Sequence, residues 1–203
     1  DDLAYVLRGL PEPVYQEVLK SMDESDRERA ETALSYAEDS AGGIMNTDTI
    51  TLRSDVTIDV VLRYLRLKGE LPEATDKLYV VDRNEKVTGE ISLTQLLTVD
   101  PSRRIDEIMS SDITTIPVDM EETEVAKLFE RHDWVSAPVV DSDQQLVGRI
   151  TIDDVVDIIR EEAQHSMLSM AGLEDDEDTF APVLKSARRR TVWLAVNLVT
   201  ALL

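Results

Sequence analysis

Apolar and polar positions along this chain fall into an order that occurs twice. Leu78-Tyr79-Val80-Val81 is a continuous β-rich run, Asp82-Arg83-Asn84-Glu85 has turn chemistry, and residues 87–91 return as a second strand before Ser92 caps a helix. Ala137-Pro138-Val139-Val140, a turn over residues 141–145, a strand over 146–150 and a helix capped by Thr151 repeat that order. The offset is 59 residues from Val80/Val139 through Gly89/Gly148 to Ser92/Thr151. So long a shared spacing predicts a duplicated supersecondary unit. Each copy is preceded by a short strand and a helix. In the first these are residues 50–52 and a helix carrying Val60, Val61, Leu62, Leu65 and Leu67, capped by Ser54 or Asp55. In the second they are residues 114–116 and a helix marked by Val125, Leu128 and Phe129, with Asp119 and Glu122 resembling a capping box. The first copy carries about five extra residues around 69–76, read as a loop insertion.

The flanks read differently. Leu3, Val6, Leu7 and Leu10 keep helical spacing, Pro11 and Pro13 break it, and Val14, Val18 and Leu19 resume it. This piece is too short to bury a core alone, so it belongs to a larger helical domain or packs on the repeat units after it. Ala41-Gly42-Gly43 reads as the hinge. At the other end no Pro or Gly interrupts residues 153–171, so the last helix extends past the repeat until Gly172. Five acids at 174–178 make a solvated linker, and Arg188-Arg189-Arg190 precede a thirteen-residue apolar run from Thr191 to Leu203. A bilayer needs about 20 such residues, yet arginines followed by an interfacial Trp193 fit the start of a membrane span on its cytoplasmic side. A terminal amphipathic helix that packs on the domain is the alternative reading of that segment.

Charge narrows the functions. The 203 residues hold 42 acids against 21 bases, a net charge of −21, which argues against nucleic acid as a partner. Residues 119–181 alone hold eighteen acids and four bases, a net of −14. There are no cysteines, so disulfides and thiolate metal sites are excluded. No Ser-His-Asp order, phosphate-cradling glycine loop or nucleophile motif points to an enzyme. On the last helix Asp154, Asp157 and Glu161 stand at i, i+3 and i+7 with Glu162 adjacent, and Val155, Ile158 and Ile159 point elsewhere for packing. Such a stripe is either a solvated face or a weak site for a hard divalent cation.

The strand–turn–strand–helix signature resembles the cystathionine β-synthase (CBS) domain, and two copies resemble the tandem pair called a Bateman module. Glu38-Asp39-Ser40-Ala41-Gly42-Gly43-Ile44-Met45, Asp100-Pro101 before Ile105 and Ile108-Met109, and Thr151-Ile152-Asp153-Asp154-Val155 are similar to the cytosolic part of MgtE magnesium transporters. The resemblance implies an α+β fold: the end of a helical N-domain (1–40), CBS domain 1 (41–101) and CBS domain 2 (102–153). After these come a plug or connecting helix (154–173), an acidic then basic linker (174–190) and the start of a first transmembrane helix (191–203). It implies a homodimer through the CBS domains, on the cytoplasmic face of the cell membrane and joined to its own transmembrane domain. Regulatory Mg2+ between acidic faces would then favour a closed pore.

The same resemblance assigns metal positions to Asp1, Asp133, Asp154, Asp157, Glu161 and Glu162, with Glu130 contributing its backbone carbonyl. Thr123, Tyr5 and His165 stand where the family carries acids, so those sites are missing or rebuilt from neighbours. CBS pairs also bind adenine nucleotides, with the Asp of Ser/Thr-x-x-Asp on the ribose hydroxyls. Thr151-x-x-Asp154 keeps that pattern and Ser92-x-x-Gln95 departs from it. Trp134 is either an adenine-stacking residue or core packing. An ATP-sensing CBS module of another membrane protein, using Ser92, Gln95 and Trp134, is the rival expectation.

Overall fold

The computed structural model describes residues 7, 10–24, 27, 30, 31 and 34–170. Asp1, Tyr5 and the segment 171–203 lie outside the described residues, as does the side chain of His165. The chain forms two bodies, one ending at Ile159 and one from Arg160; of the second, the helical stretch to Met170 is described.

Helix α1 (Glu12–Ser21) starts at the proline that was expected to break the pattern. Pro13 sits in the first turn, where its fixed φ suits a helix and its missing N–H costs nothing. Leu7, Leu19 and Ala30 are buried together, with Leu10, Tyr15, Val18, Met22 and Leu34 packed around them. The N-terminal piece thus has an apolar cluster of its own.

Helix α2 (Ala41–Ile44) comes next, then the first repeat: β1 (Thr51–Leu52), α3 (Ile58–Lys68), β2 (Lys77–Val81), β3 (Val87–Ser92) and α4 (Leu93–Thr98). A 3₁₀ turn at Ile105–Glu107 leads to the second repeat: β4 (Ile116–Pro117), α5 (Glu122–His132), β5 (Ser136–Val140), β6 (Leu146–Thr151) and α6 (Ile152–Met170). The sheets have the same order, β1-β2-β3 and β4-β5-β6, the first pair parallel and the second antiparallel. Equivalent bulges fall at Val80/Val81 and Val139/Val140. The hairpin turns match as well. Asp82 Oδ1 accepts from the N–H groups of Asn84 and Lys86 at 2.8 and 3.0 Å, and Asp141 Oδ1 from those of Asp143 and Gln145 at 2.9 Å each. Glu85 and Gln144, also equivalent, both take positive φ (60° and 64°).

Two more helix starts differ from expectation. Thr57, rather than Ser54 or Asp55, is the N-cap of α3, and no side chain caps it. Glu121 precedes α5, so the Asp119–Glu122 box does not form. Glu122 instead donates its N–H to the Asp39 carbonyl at 3.0 Å, which satisfies an orphan first-turn donor from a remote segment.

The segments leading into the repeats exchange partners. Ala41 and Met45 lie in the core of the second repeat, with Ile116, Phe129, Val139, Ile150 and Val155. Ile105 lies in the core of the first, with Ile108 and Met109 packed on it. Asn46 pairs with Arg149 of β6 by two backbone hydrogen bonds of 2.8 Å, and Ser110 with Glu90 of β3 by two of 2.9 Å. The repeated glycines permit this approach. A Cβ on Gly148 would meet Met45 Sδ at 2.6 Å and the Asn46 carbonyl at 2.9 Å; one on Gly89 would meet the Ser110 carbonyl at 2.7 Å.

Ala41-Gly42-Gly43 is therefore not a hinge. Ala41 and Gly42 are buried, and their N–H groups donate to the carbonyls of Met120 (2.8 Å) and Val118 (2.9 Å). Ser40 caps α2, its Oγ accepting from the Gly43 N–H. The glycines allow close packing: a Cβ on Gly42 would strike the Tyr36 side chain, and one on Gly43 the Ala37 carbonyl.

Candidate functional site

The Ser/Thr-x-x-Asp motif and its departure do the same local work. Ser92 Oγ accepts from the Gln95 N–H at 3.1 Å, and Gln95 Oε1 accepts from the Ser92 N–H at 3.2 Å, a complete capping box for α4. The Gln95 amide nitrogen reaches the Ile108 carbonyl at 3.5 Å, so both ends of its side chain are engaged. In the second repeat Asp154 Oδ2 accepts from the Thr151 N–H at 3.0 Å and from its hydroxyl at 2.7 Å. Burial raises the Asp154 carboxyl above the usual range, with the Thr151 hydrogen bonds pulling the other way. Asp154 is thus half-buried at the start of α6.

The other described acids expected to bind metal are surface groups. Asp157 is exposed on α6, and Glu161 and Glu162 are exposed in the second body. Glu130 is exposed near the end of α5, and Asp133 is its left-handed C-cap at φ 52°. Ile159, expected to pack, is 46% exposed, whereas Val155 and Ile158 are buried. Among the described residues no three His, Asp or Glu side chains converge closely enough to hold one ion. Carboxylate chemistry suits Mg2+, but within one chain the described donors do not form a cage.

Trp134 packs against the second core. It lies edge-on to Phe129 (5.6 Å between ring centres) beside the second core, and His132 stacks on it at 4.7 Å and 13°. Residues Ser92, Gln95 and Trp134 therefore offer no carboxylate, a spent amide and a ring already stacked by a neighbour.

Sequence reading missed the polar seam between the repeats. Tyr79 hydroxyl and Ser136 Oγ lie 3.0 Å apart in the interior, and Ser136 donates to Asp76. Burial pushes the Tyr79 hydroxyl far up, against the lowering effect of Ser136. Arg149, only 3% exposed, donates to the carbonyls of Glu73 (2.5 Å) and Ala74 (3.3 Å), and its Nε has no partner. The insertion at 69–76 is thus the loop that the second repeat grips. Its one sequence signal was an Arg in a strand where the first copy has Glu90, itself paired with Lys77 at 3.1 Å.

Duplicated three-stranded units, each capped by the other's leader, define a tandem CBS pair. The CBS-domain family matches residues 41–102 and 105–161, and the MgtE intracellular N domain matches residues 1–39. The chain is 34% identical to the magnesium transporter MgtE of Thermus thermophilus over all of this chain and 46% of that protein. It is 29% identical to the Bacillus subtilis magnesium transporter MgtE, over all of this chain and 45% of that protein. The solved cytosolic domain of the Mg2+ channel MgtE in complex with ATP superposes with a TM-score of 0.74 at 35% identity, covering 77% of this chain and 64% of that one. The chain belongs to the MgtE family, and it spans just under half the length of these two curated relatives.

Proposed function

We propose that this chain is the Mg2+-sensing regulatory region of a magnesium transporter or channel, and not an enzyme. It would act as a homodimer at the cytoplasmic face of the membrane, joined to its own transmembrane domain. The observation that carries the reading is the separation of charge within a member of the MgtE family. Residues 41–110 hold twelve acids and nine bases, residues 111–170 fourteen acids and four bases. The second repeat and its helix thus carry ten more acids than bases, against three more in the first, an excess that repels a like surface until cations intervene.

Asp1, Asp133, Asp154, Asp157, Glu161 and Glu162, with the Glu130 carbonyl, are the donors we assign to Mg2+. A small, strongly hydrated ion needs one or two direct carboxylates, and the rest of its shell stays water. Acids spread singly over surfaces suit weak sites completed by another body or copy, as a sensor of millimolar Mg2+ requires. Bound Mg2+ would supply positive charge that lets acidic faces approach and hold the pore closed. Nucleotide sensing stands second: a structure of an MgtE cytosolic domain holds ATP, while here Ser92-x-x-Gln95 departs from the Ser/Thr-x-x-Asp pattern.

Protease protection of the whole chain, titrated with MgCl2 against KCl of equal ionic strength, tests the proposal. Millimolar Mg2+ is expected to slow cleavage, and Asp154→Asn/Asp157→Asn to remove most of that effect. Cleavage indifferent to Mg2+, with tight ATP binding, would reverse the order of the two readings.

A further inference from the structure

We infer that residues 69–76 form a strap that latches the second repeat and, through Arg149, fixes the start of the acid-bearing helix α6. The latch stands on its own geometry; its consequence for sensing rests on the Mg2+ reading above. The strap is the insertion of the first copy and runs from the end of α3 to the start of β2. Glu70, Leu71, Glu73 and Ala74 are exposed, so the contacts that hold it are polar. The Arg149 guanidinium donates to the carbonyls of Glu73 and Ala74, and the Ser136 hydroxyl to the Asp76 carboxylate. The Asp76 carbonyl accepts from the Leu93 N–H at 2.9 Å. One short segment is thus tied to β6, β5 and α4 together.

Two features of the latched strap are costly. Ala74 takes φ 51°, left-handed, where a side chain crowds the backbone. Arg149 is 3% exposed, yet its partners are neutral carbonyls and its Nε–H has none. Such a conformation persists only while surrounding contacts over-determine it. The fold of a repeat does not demand it. In the second copy the chain passes from Asp133, the C-cap of α5, to β5 at Ser136 with two residues between them. Latched and released forms therefore differ by a few contacts, and the costs of the latched form narrow the gap between them.

Arg149 is where the strap meets the sensing helix. Its backbone pairs with Asn46 in both directions at 2.8 Å. Two residues on, Thr151 gives its N–H and hydroxyl to Asp154 in the first turn of α6. The Arg149 charge also reaches Asp154, where it favours the ionised carboxyl. Latched, the guanidinium has one position, and so do the strand end and helix start built around it. Released, it is a buried cation without its carbonyl partners, and β6 must shift to bring it to water or to an acid. Asp154 and the α6 acids behind it then lose their fixed placement, and Mg2+ has to order its own donors.

Hydrogen–deuterium exchange of the whole chain, read by mass spectrometry, tests the latch. Ala74 tunes it through the backbone, because its side chain is exposed. Ala74→Val adds branching at a left-handed residue and should speed exchange about fivefold or more, both in residues 70–76 and in residues 151–157. Ala74→Gly relieves the same position and should slow both. Arg149→Met should open the strap as Ala74→Val does. Amides of α3 around Val61, in the first core, should keep their wild-type rates, which separates release of the strap from general unfolding. Strap exchange indifferent to all three changes overturns the latch. A strap that responds while residues 151–157 do not overturns its hold on α6. In the MgCl2 protease titration, Ala74→Val should raise the midpoint by about the same factor. A wild type that ignores Mg2+ overturns the sensing reading and its consequence here, while the exchange result still decides the latch. A wild type that responds, with an unchanged midpoint in Ala74→Val, overturns the link between latch and sensing.

Discussion

Gly148→Ala should damage the joint between the repeats. The new methyl carbon would sit 2.6 Å from Met45 Sδ, 2.9 Å from Met45 Cγ and 2.9 Å from the Asn46 carbonyl oxygen, where unstrained carbon contacts lie at about 3.5–4.0 Å. The Met45 side chain can swing aside. The Asn46 carbonyl cannot, because it accepts from the Arg149 N–H at 2.8 Å while the Asn46 N–H donates to the Arg149 carbonyl at 2.8 Å. Relief requires lifting Asn46 off β6. Overpacking costs about 1–3 kcal/mol, and weakening one or both hydrogen bonds adds about 0.5–1.5 kcal/mol each. With one of the two bonds weakened, these give a loss of about 1.5–4.5 kcal/mol. For a chain of this size that lowers Tm by roughly 5–15 °C. Urea and thermal unfolding followed by circular dichroism measure it directly, with Gly89→Ala expected to behave alike against Ser110. A loss below about 0.5 kcal/mol at both glycines, the range of an ordinary surface change, would refute the exchange of leader segments.

The buried Tyr79–Ser136 pair should behave as one unit. Ser136→Ala strands the Tyr79 hydroxyl and should cost about 1–3 kcal/mol, whereas adding Tyr79→Phe should recover part of it; strict additivity in urea unfolding would contradict the contact. Asp154→Asn keeps an acceptor for Thr151 and should leave stability within about 0.5 kcal/mol, while Asp154→Ala loses both hydrogen bonds from Thr151 and should cost about 1 kcal/mol. The raised Asp154 pKa also has a sign. The folded state binds this proton more tightly than the unfolded chain, so the Asp154 contribution to stability falls as pH rises from the ordinary carboxylate value through the raised one. Asp154→Asn should therefore gain on the wild type over that interval in paired thermal melts, and parallel curves would contradict the burial.

The repeat was legible because its signals are local. Two β-rich runs, a turn aspartate, a glycine and a hydroxyl cap recur within some fifteen residues of one another, and each maps onto the same element in both copies. The exchange of leaders was not legible, since Asn46 and Arg149 pair across a hundred residues with no local pattern to announce it. A faint signal existed: Ile44-Met45 and Ile108-Met109 recur 64 residues apart, each just before the residue that pairs with the other repeat's strand. The Ala-Gly-Gly segment misled for a physical reason. Glycine marks close backbone approach as readily as freedom, and burial decides between them. The acidic stripe was only half legible. Helical spacing gave the face, but the use of Asp154 as a cap depended on Thr151 at the strand end.

The central claim is that Mg2+ neutralises acidic surfaces in this chain and draws them together. Small-angle X-ray scattering of the whole chain tests it most directly, comparing millimolar MgCl2 with KCl at matched ionic strength. The account predicts a smaller radius of gyration in Mg2+, with Asp154→Asn/Asp157→Asn remaining at the KCl value. Equal radii for the wild type in both salts would contradict it.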